Sequence, residues 1–369
     1  MKGRVLILLA VLAYLAAFGC VMWPTAPPAG TLIAGTGSDL ELTTPAAPAV
    51  KLDEMPYRGI VLQVQRIDDP EPYHKTIDAI AAAGADTIEI VVDSRVENGS
   101  SSVIFIDLRM SAAQDKLTEL IKYAKGKGLR VVVMPLVLIE NPEGNEWRGQ
   151  IHPRDWSMWF NSYRDMEGYY ATSAAQGHAD VFVVGSELVS TEQYKDEWVH
   201  TISDVRRIFP GLLTYSANWD HYQKIPFWDH LDIISTNCYY KLGDNRDVAV
   251  SEIVSRWKAI QADLLPWVRK QGKPYMFTEV GWCSVANAAS EPWDYTQETV
   301  PIDLELQRKL YEGFFKVWYG VPQLGGFMIW QYAPNAGGPE DRGYTPQGKP
   351  AEKVLRYWLG KPRWKVDPK

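Results

Sequence analysis

Two glutamates stand where apolar runs end, and their residue type and setting suggest the chemistry available to this chain. Glu187 follows Val181–Phe182–Val183–Val184–Gly185–Ser186, and Glu279 follows Pro274–Tyr275–Met276–Phe277–Thr278. Each run reads as a buried strand, so each carboxylate is held rigidly at a strand end, half shielded from water. Such a pair suits cleavage of a glycosidic bond. One protonated carboxyl serves the leaving oxygen and one ionised carboxylate serves the anomeric carbon. Like charge and partial burial split the two pKa values and so separate the roles. One glutamate alone at a strand end is as often a cap or an ion-pair partner; two in one barrel frame are harder to explain that way.

Elements that can position the pair alternate along the chain. Strand-like runs are Gly59–Val64, Thr87–Val92, Arg130–Val137, Val181–Gly185, Leu212–Ser216, Leu231–Thr236, Tyr275–Thr278 and Gly326–Trp330. Helical spacing falls between most of them, over His74–Ala83, Ala112–Lys127, Asp155–Ala175, the stretch around Glu192–Phe209, Val248–Lys270 and Asp303–Tyr319. Alternation of this kind implies parallel βαβ units, and eight of them predict a closed (β/α)8 TIM barrel, an α/β fold. The weakest interval is Gln223–Trp228, which reads only as a turn. An open doubly wound sheet is the alternative, but no glycine-rich phosphate turn follows the first strand.

In a barrel, the residues closing each strand gather around one mouth. Those ends are Gln63, Arg95, Glu187, Asn218, Asn237, Glu279 and Trp330. Trp330 and Trp219 stand where an indole can lie under a sugar ring or simply pack the mouth. Tyr239, just past the sixth strand, can donate a hydrogen bond to a nucleophile. Asn218 and Asn237 can bind hydroxyls or cap loops, and Trp282, three residues past Glu279, is a further candidate contact.

Composition bounds the alternatives. The 369 residues are 46% hydrophobic and 22% charged, enough apolar material for one large core. Aromatic residues reach 12%, with 15 Trp and 19 Tyr, which reads mainly as core packing with a few rings left for a cleft. The net charge of −7 and the lack of a basic run argue against nucleic acid. Metal-ligand spacing of the H-E-x-x-H type, a cysteine cluster, a G-x-S-x-G elbow and a phosphate loop are all missing, so no cofactor or metal is expected. Cys20, Cys238 and Cys283 form no disulfide framework, although Cys238 and Cys283 follow neighbouring strands and can pair in an oxidising compartment.

Met1–Lys2–Gly3–Arg4 followed by the apolar run Val5–Val21 reads as a signal peptide or membrane anchor over residues 1–23. Ala17–Phe18–Gly19–Cys20 loosely resembles a lipobox, which makes lipidation of Cys20 a minor alternative. A linker rich in Pro, Ala, Thr and Gly follows over 24–55, then the barrel over 56–361 and a tail over 362–369. An exported monomer, released or tethered outside the cytoplasmic membrane, is the expectation.

Taken in order, several segments resemble glycoside hydrolase family 113. They are Phe182–Val183–Val184–Gly185–Ser186–Glu187–Leu188, Tyr215–Ser216–Ala217–Asn218–Trp219, Phe227–Trp228–Asp229–His230–Leu231–Asp232, Phe277–Thr278–Glu279–Val280–Gly281–Trp282 and the stretch from Gly343 to Ala351. The resemblance spans about Gly59 to Trp358. It implies a retaining enzyme of the large barrel clan with its glutamates on strands four and seven: Glu187 as acid/base, Glu279 as nucleophile, and β-1,4-mannan as substrate. Trp147–Arg148–Gly149 resembles a family segment near the cleft. Where many members end the third strand with Lys-Pro-His, this chain has Met134–Pro135–Leu136. Retention also implies carboxyl groups about 5–5.5 Å apart. Two rival readings remain, a non-catalytic glycan-binding barrel and a transglycosylase that remodels an envelope polysaccharide.

Overall fold

The structure is a computed structural model that describes residues 45–296 and 299–369. The leader, Cys20 and the linker up to residue 44 lie outside the described residues. Among the described residues, no helix is long and apolar enough to cross a membrane.

Eight strands close into a parallel barrel in sequence order. They are β1 (Tyr57–Gln63), β2 (Thr87–Val96), β3 (Arg130–Ile139), β4 (Val181–Ser186), β5 (Leu212–Ala217), β6 (Ile234–Asn237), β7 (Tyr275–Val280) and β8 (Leu324–Tyr332). The outer ring holds α1 (Glu71–Ala82), α2 (Gln114–Gly126), α3 (Trp156–Gln176), α4 (Lys195–Ile208), α5 (Val250–Gln271), α6 (Leu304–Trp318) and α7 (Pro350–Leu359). The interval after β5 carries two short 3-10 turns, Tyr222–Lys224 and Trp228–His230, in keeping with its turn-like sequence. Helix α7 was not among the sequence expectations. It begins with Pro350 and buries Ala351, Leu355 and Leu359, a four-residue spacing along one face.

Local chemistry explains most boundaries. Asp155 caps α3 by accepting from the Met158 amide at 3.0 Å, and Asp303 caps α6 through Leu306 at 2.9 Å. At the end of α5, Gly272 takes φ +64°, a left-handed stop that costs a glycine little. Helix α2 buries Leu117, Leu120, Ile121 and Ala124, the 3.6-residue stripe that holds it against the sheet.

The core has two layers. Alternate strand residues fill the barrel interior: Val61, Val91, Val132, Met134, Val181, Val183, Leu212, Met276 and Met328. Met55, Tyr57 and Val366 belong to the same layer, so the segment before β1 and the C-terminal tail both join it. The opposite faces of the strands meet the helices in a larger, aromatic layer that includes Trp159, Trp198, Trp257, Trp282 and Trp318, none of them exposed. Most of the unusual aromatic content therefore serves packing. Cys238 and Cys283 are buried and free, not paired.

Trp257 of α5 is the hub of this layer, with ring contacts to Tyr240, Phe277, Trp282, Phe314 and Trp318. Trp257→Ala should lower stability by about 3–5 kcal/mol in denaturant unfolding, the range for emptying a large aromatic site in a packed core. A loss below about 1 kcal/mol would contradict this packing role.

Candidate active site

Two slips of strand register lie just before the glutamates, and the one in β7 sets the aim of Glu279. Between β4 and β5 the pairing runs Val183↔Thr214 and then Ser186↔Ser216, so β4 gains one residue just before Glu187. Between β6 and β7 it runs Thr236↔Phe277 and then Asn237↔Glu279, so β7 gains one residue just before Glu279. Strict alternation from the interior residues Met276 and Thr278 would turn the residue after them toward the helices. The extra residue re-aims it instead, which is what a bulge does. Glu187 completes its turn in the left-handed region, at φ +57°, uncommon for a residue with a side chain.

A small polar cluster joins the two carboxyl groups. Arg148 Nη1 donates to Glu187 Oε2 at 2.8 Å, and Asn237 Nδ2 donates to Glu187 Oε1. The Tyr239 hydroxyl donates to Glu279 Oε2 at 2.7 Å. Asn237 is opposite Glu279 in the β6–β7 register while its amide reaches Glu187, so one residue links both strand ends. The second oxygen of Glu279, Oε1, is buried and has no hydrogen-bond partner. Burial pushes the Glu279 carboxyl up to about 7, and the Glu187 charge adds to the rise. The Arg148 guanidinium and the Tyr239 hydroxyl oppose it. The raised Glu279 carboxyl therefore keeps a proton in the site up to near-neutral pH. Such an arrangement can both supply a proton and present a carboxylate oxygen to carbon.

The other sequence candidates divide. Tyr239 makes the bond anticipated for it. Asn237 is fully buried, and its Oδ1 accepts from the Trp219 amide at 2.9 Å; Asn218 Oδ1 accepts from the same amide at 3.1 Å and from Asn237 Nδ2 at 3.2 Å. The two asparagines thus brace the strand ends. Trp219 and Trp330 are partly exposed, the first 4.9 Å from the Tyr240 ring and the second packed on the interior layer. Trp147 keeps 38% of its surface exposed and stands over Gly149, where an added Cβ would run into its ring. Gln63 ends β1 partly exposed.

Trp282 is a correction: it has no exposed surface and packs on Tyr311, Trp257 and Phe314, so it is core and not a substrate contact. Its position three residues past Glu279 carries it over the rim and back under the helices. Arg95 is engaged by its own neighbours, Asp93 at 2.9 Å and Glu140 at 3.2 Å, which spend its charge within the β2–β3 edge.

Arg148 was visible in the sequence only as part of Trp147–Arg148–Gly149, because a loop residue leaves no periodic signal. Glu89 left a weak one, a carboxylate inside the apolar run of β2. It is fully buried beside the interior residues, both its oxygens are unpartnered, and burial followed by the Glu279 charge holds it well above the usual carboxylate range.

Comparisons with known proteins bear on the family and the fold. The profile of Glycoside Hydrolase Family 113 matches residues 69–349. The family-113 β-mannanase AaManA of Alicyclobacillus acidocaldarius, solved with ManMIm, superposes with TM-score 0.75 at 26% identity, covering 84% of this chain and 98% of that one. A second family-113 β-1,4-mannanase superposes with TM-score 0.72 at 25% identity, covering 84% of this chain and all of that one. A Ruminococcus gnavus β-glucuronidase shares the fold alone, at TM-score 0.59 and 13% identity over 84% of this chain and 51% of that one. No curated protein matches the sequence.

The raised Glu279 pKa makes a stability prediction. The folded state binds a proton that the unfolded chain has released, so stability is full below the unfolded pKa near 4.5 and falls as pH rises toward about 7. Glu279→Gln removes that titration. The variant should match wild type near pH 5 and exceed it near pH 8 by on the order of 1–3 kcal/mol in denaturant unfolding. An equal difference at both pH values would show that burial does not perturb this carboxyl.

Proposed function

Because the chain belongs to glycoside hydrolase family 113, we propose that it cleaves β-linked polysaccharide by a retaining double displacement, with β-1,4-mannan or glucomannan as substrate. The observation that carries this reading is the asymmetry of Glu279. Tyr239 fixes one of its oxygens, while the other is unpartnered and shares a polar cluster with Glu187.

In this reading Glu279 Oε1 attacks the anomeric carbon as Glu187 gives its proton to the departing glycosidic oxygen, and a covalent glycosyl-enzyme forms. Glu187, now ionised, takes a proton from water, whose oxygen attacks the anomeric carbon and releases Glu279. The cluster suits this traffic. Two carboxyls with one shared proton carry a single negative charge, which the Arg148 guanidinium balances in a site where an unbalanced charge is costly. Arg148 and Tyr239 both lower the Glu279 pKa, so both favour the ionised nucleophile once the proton resides on Glu187.

Mannan is supported by the β-mannanases of family 113 that the fold superposes on at about 26% identity. Met134 and Leu136 lie in the interior layer near the mouth end of β3, where many members have Lys and His; this is the place where sugar preference can diverge. Export, read from the Val5–Val21 run, would bring the enzyme to polymers outside the cell.

The test is product release from soluble β-glycans together with the anomeric configuration of the first-formed product by NMR. Wild type should release oligosaccharides from mannan or glucomannan with retention, and Glu279→Gln should abolish turnover. An inverted product would end the double-displacement reading, and activity confined to another glycan would end the mannan one. Glu187→Ala should cut kcat/KM by about 100-fold or more on poor leaving groups and far less on aryl glycosides with good ones. The wild-type kcat/KM should fall above about pH 7 as the site loses the proton that the raised Glu279 carboxyl retains.

A further inference from the structure

Behind Glu187, on the helix side of the barrel, lies a second buried carboxyl that the mechanism above does not use. Glu192 is only 6% exposed, and its Oε1 accepts from the Tyr215 hydroxyl at 2.9 Å. The same phenol oxygen accepts from the Leu188 amide at 2.9 Å. Leu188 directly follows Glu187, whose own amide donates to the Ser216 carbonyl at 2.9 Å. The left-handed turn of Glu187 is therefore tied to β5 on both sides, by the backbone of Ser216 before it and the side chain of Tyr215 after it.

The turn is braced further. Thr191 Oγ1 donates to the Leu188 carbonyl at 2.7 Å, and the Trp198 indole donates to the Thr191 carbonyl at 3.1 Å. The Tyr215 ring is fully buried between Trp198 at 5.1 Å and Phe227 at 5.3 Å, so its oxygen has little freedom to move. Packing alone would be served by phenylalanine at 215 and an aliphatic residue at 192. A carboxyl there loses its hydration, so its presence calls for a polar task.

We propose that Tyr215 and Glu192 are positioning residues for Glu187: the phenol, oriented by the Glu192 carboxyl, clamps the Leu188 amide and so holds Glu187 in the left-handed turn that aims its carboxyl into the mouth. The inference rests on Glu187 being the acid/base. Charged and titratable groups around the clamp are few. Glu187 faces Tyr215 from β4, Asp220 and His221 act on Glu192 from the loop after β5, and Tyr163 on α3 approaches the phenol with Glu167 behind it. Burial lifts Glu192 to about 7, with Tyr215 and His221 opposing and Asp220 assisting.

A structural lesion and a positioning lesion differ in what they slow. An acid that is out of place matters only for leaving groups that need protonation. In the full-length protein, kcat/KM would be measured for a series of aryl β-mannosides spanning leaving-group pKa and for a mannooligosaccharide. Tyr215→Phe should lose about tenfold or more on the oligosaccharide and the poorest aryl leaving groups, and less than about threefold on a dinitrophenyl glycoside. Glu192→Leu should show the same slope, and Glu192→Gln, which still accepts from the phenol, should restore it. Equal losses across the series, no loss, or no difference between Leu and Gln at position 192 would overturn the proposal. Glu187→Ala run beside them separates the two readings. If it shows no leaving-group dependence, the acid/base assignment has failed; if it does and Tyr215→Phe does not, only the clamp has. A crystal structure of Tyr215→Phe gives a readout independent of turnover: Glu187 should leave its left-handed conformation and its Arg148 contact, and an unmoved carboxyl would refute the clamp.

Discussion

Two carboxylates brought together where water is scarce repel each other, and each loses the hydration that stabilises its charge. The mouth of this barrel is organised around that difficulty. Arg148 supplies the opposing charge, Asn237 and Tyr239 supply donors, and a raised Glu279 pKa reduces the number of charges to be held at once. Arg148 comes from the loop after β3, Asn237 and Tyr239 from the end of β6 and just past it, and the glutamates from the ends of β4 and β7. Only a closed barrel, which gathers all its strand ends at one rim, can place them within hydrogen-bond reach of one another.

The cost of holding such a site is visible beneath it and behind it. Below, the barrel interior combines Val, Met and Leu with hydroxyl pairs, Thr214 with Ser235 at 2.8 Å and Ser216 with Thr278 at 2.7 Å, that satisfy one another across strands. Glu89, in the same interior, has no such partner, and burial holds its carboxyl well above the usual carboxylate range. Behind, the aromatic layer of Trp198, Tyr215 and Phe227 forms a stiff wall against which the Glu187 turn is held. Rigidity there matters because a strained backbone persists only when its surroundings over-determine it.

The asymmetry between the two glutamates follows from their supports. Glu187 has a partner on each oxygen, and its backbone is tied to β5 on both sides. Glu279 has one oxygen held and one free. In the double displacement proposed above, a group that exchanges a proton in both halves benefits from fixed direction, whereas a nucleophile needs one oxygen that can leave its place and bond to carbon.

Much of this was legible in the sequence. Alternating apolar runs and helical stripes specify a parallel barrel, because burial on two faces of a strand and on one stripe of a helix leaves a periodic trace. A glutamate closing an apolar run marks a strand end, so the strand-end placement of Glu187 and Glu279 was legible in residue order, as was Tyr239 as a candidate donor nearby. Tertiary structure decided what has no local period. The single-residue register slip before Glu279 depends on the neighbouring strand and sets which way that carboxyl points, and a left-handed turn held by β5 aims Glu187. Trp282 reads from its position as a cleft residue but is core, because direction past a bulge is fixed by packing. Arg148 and Glu192 join the site through loops and long-range hydrogen bonds, contacts for which sequence distance carries no information.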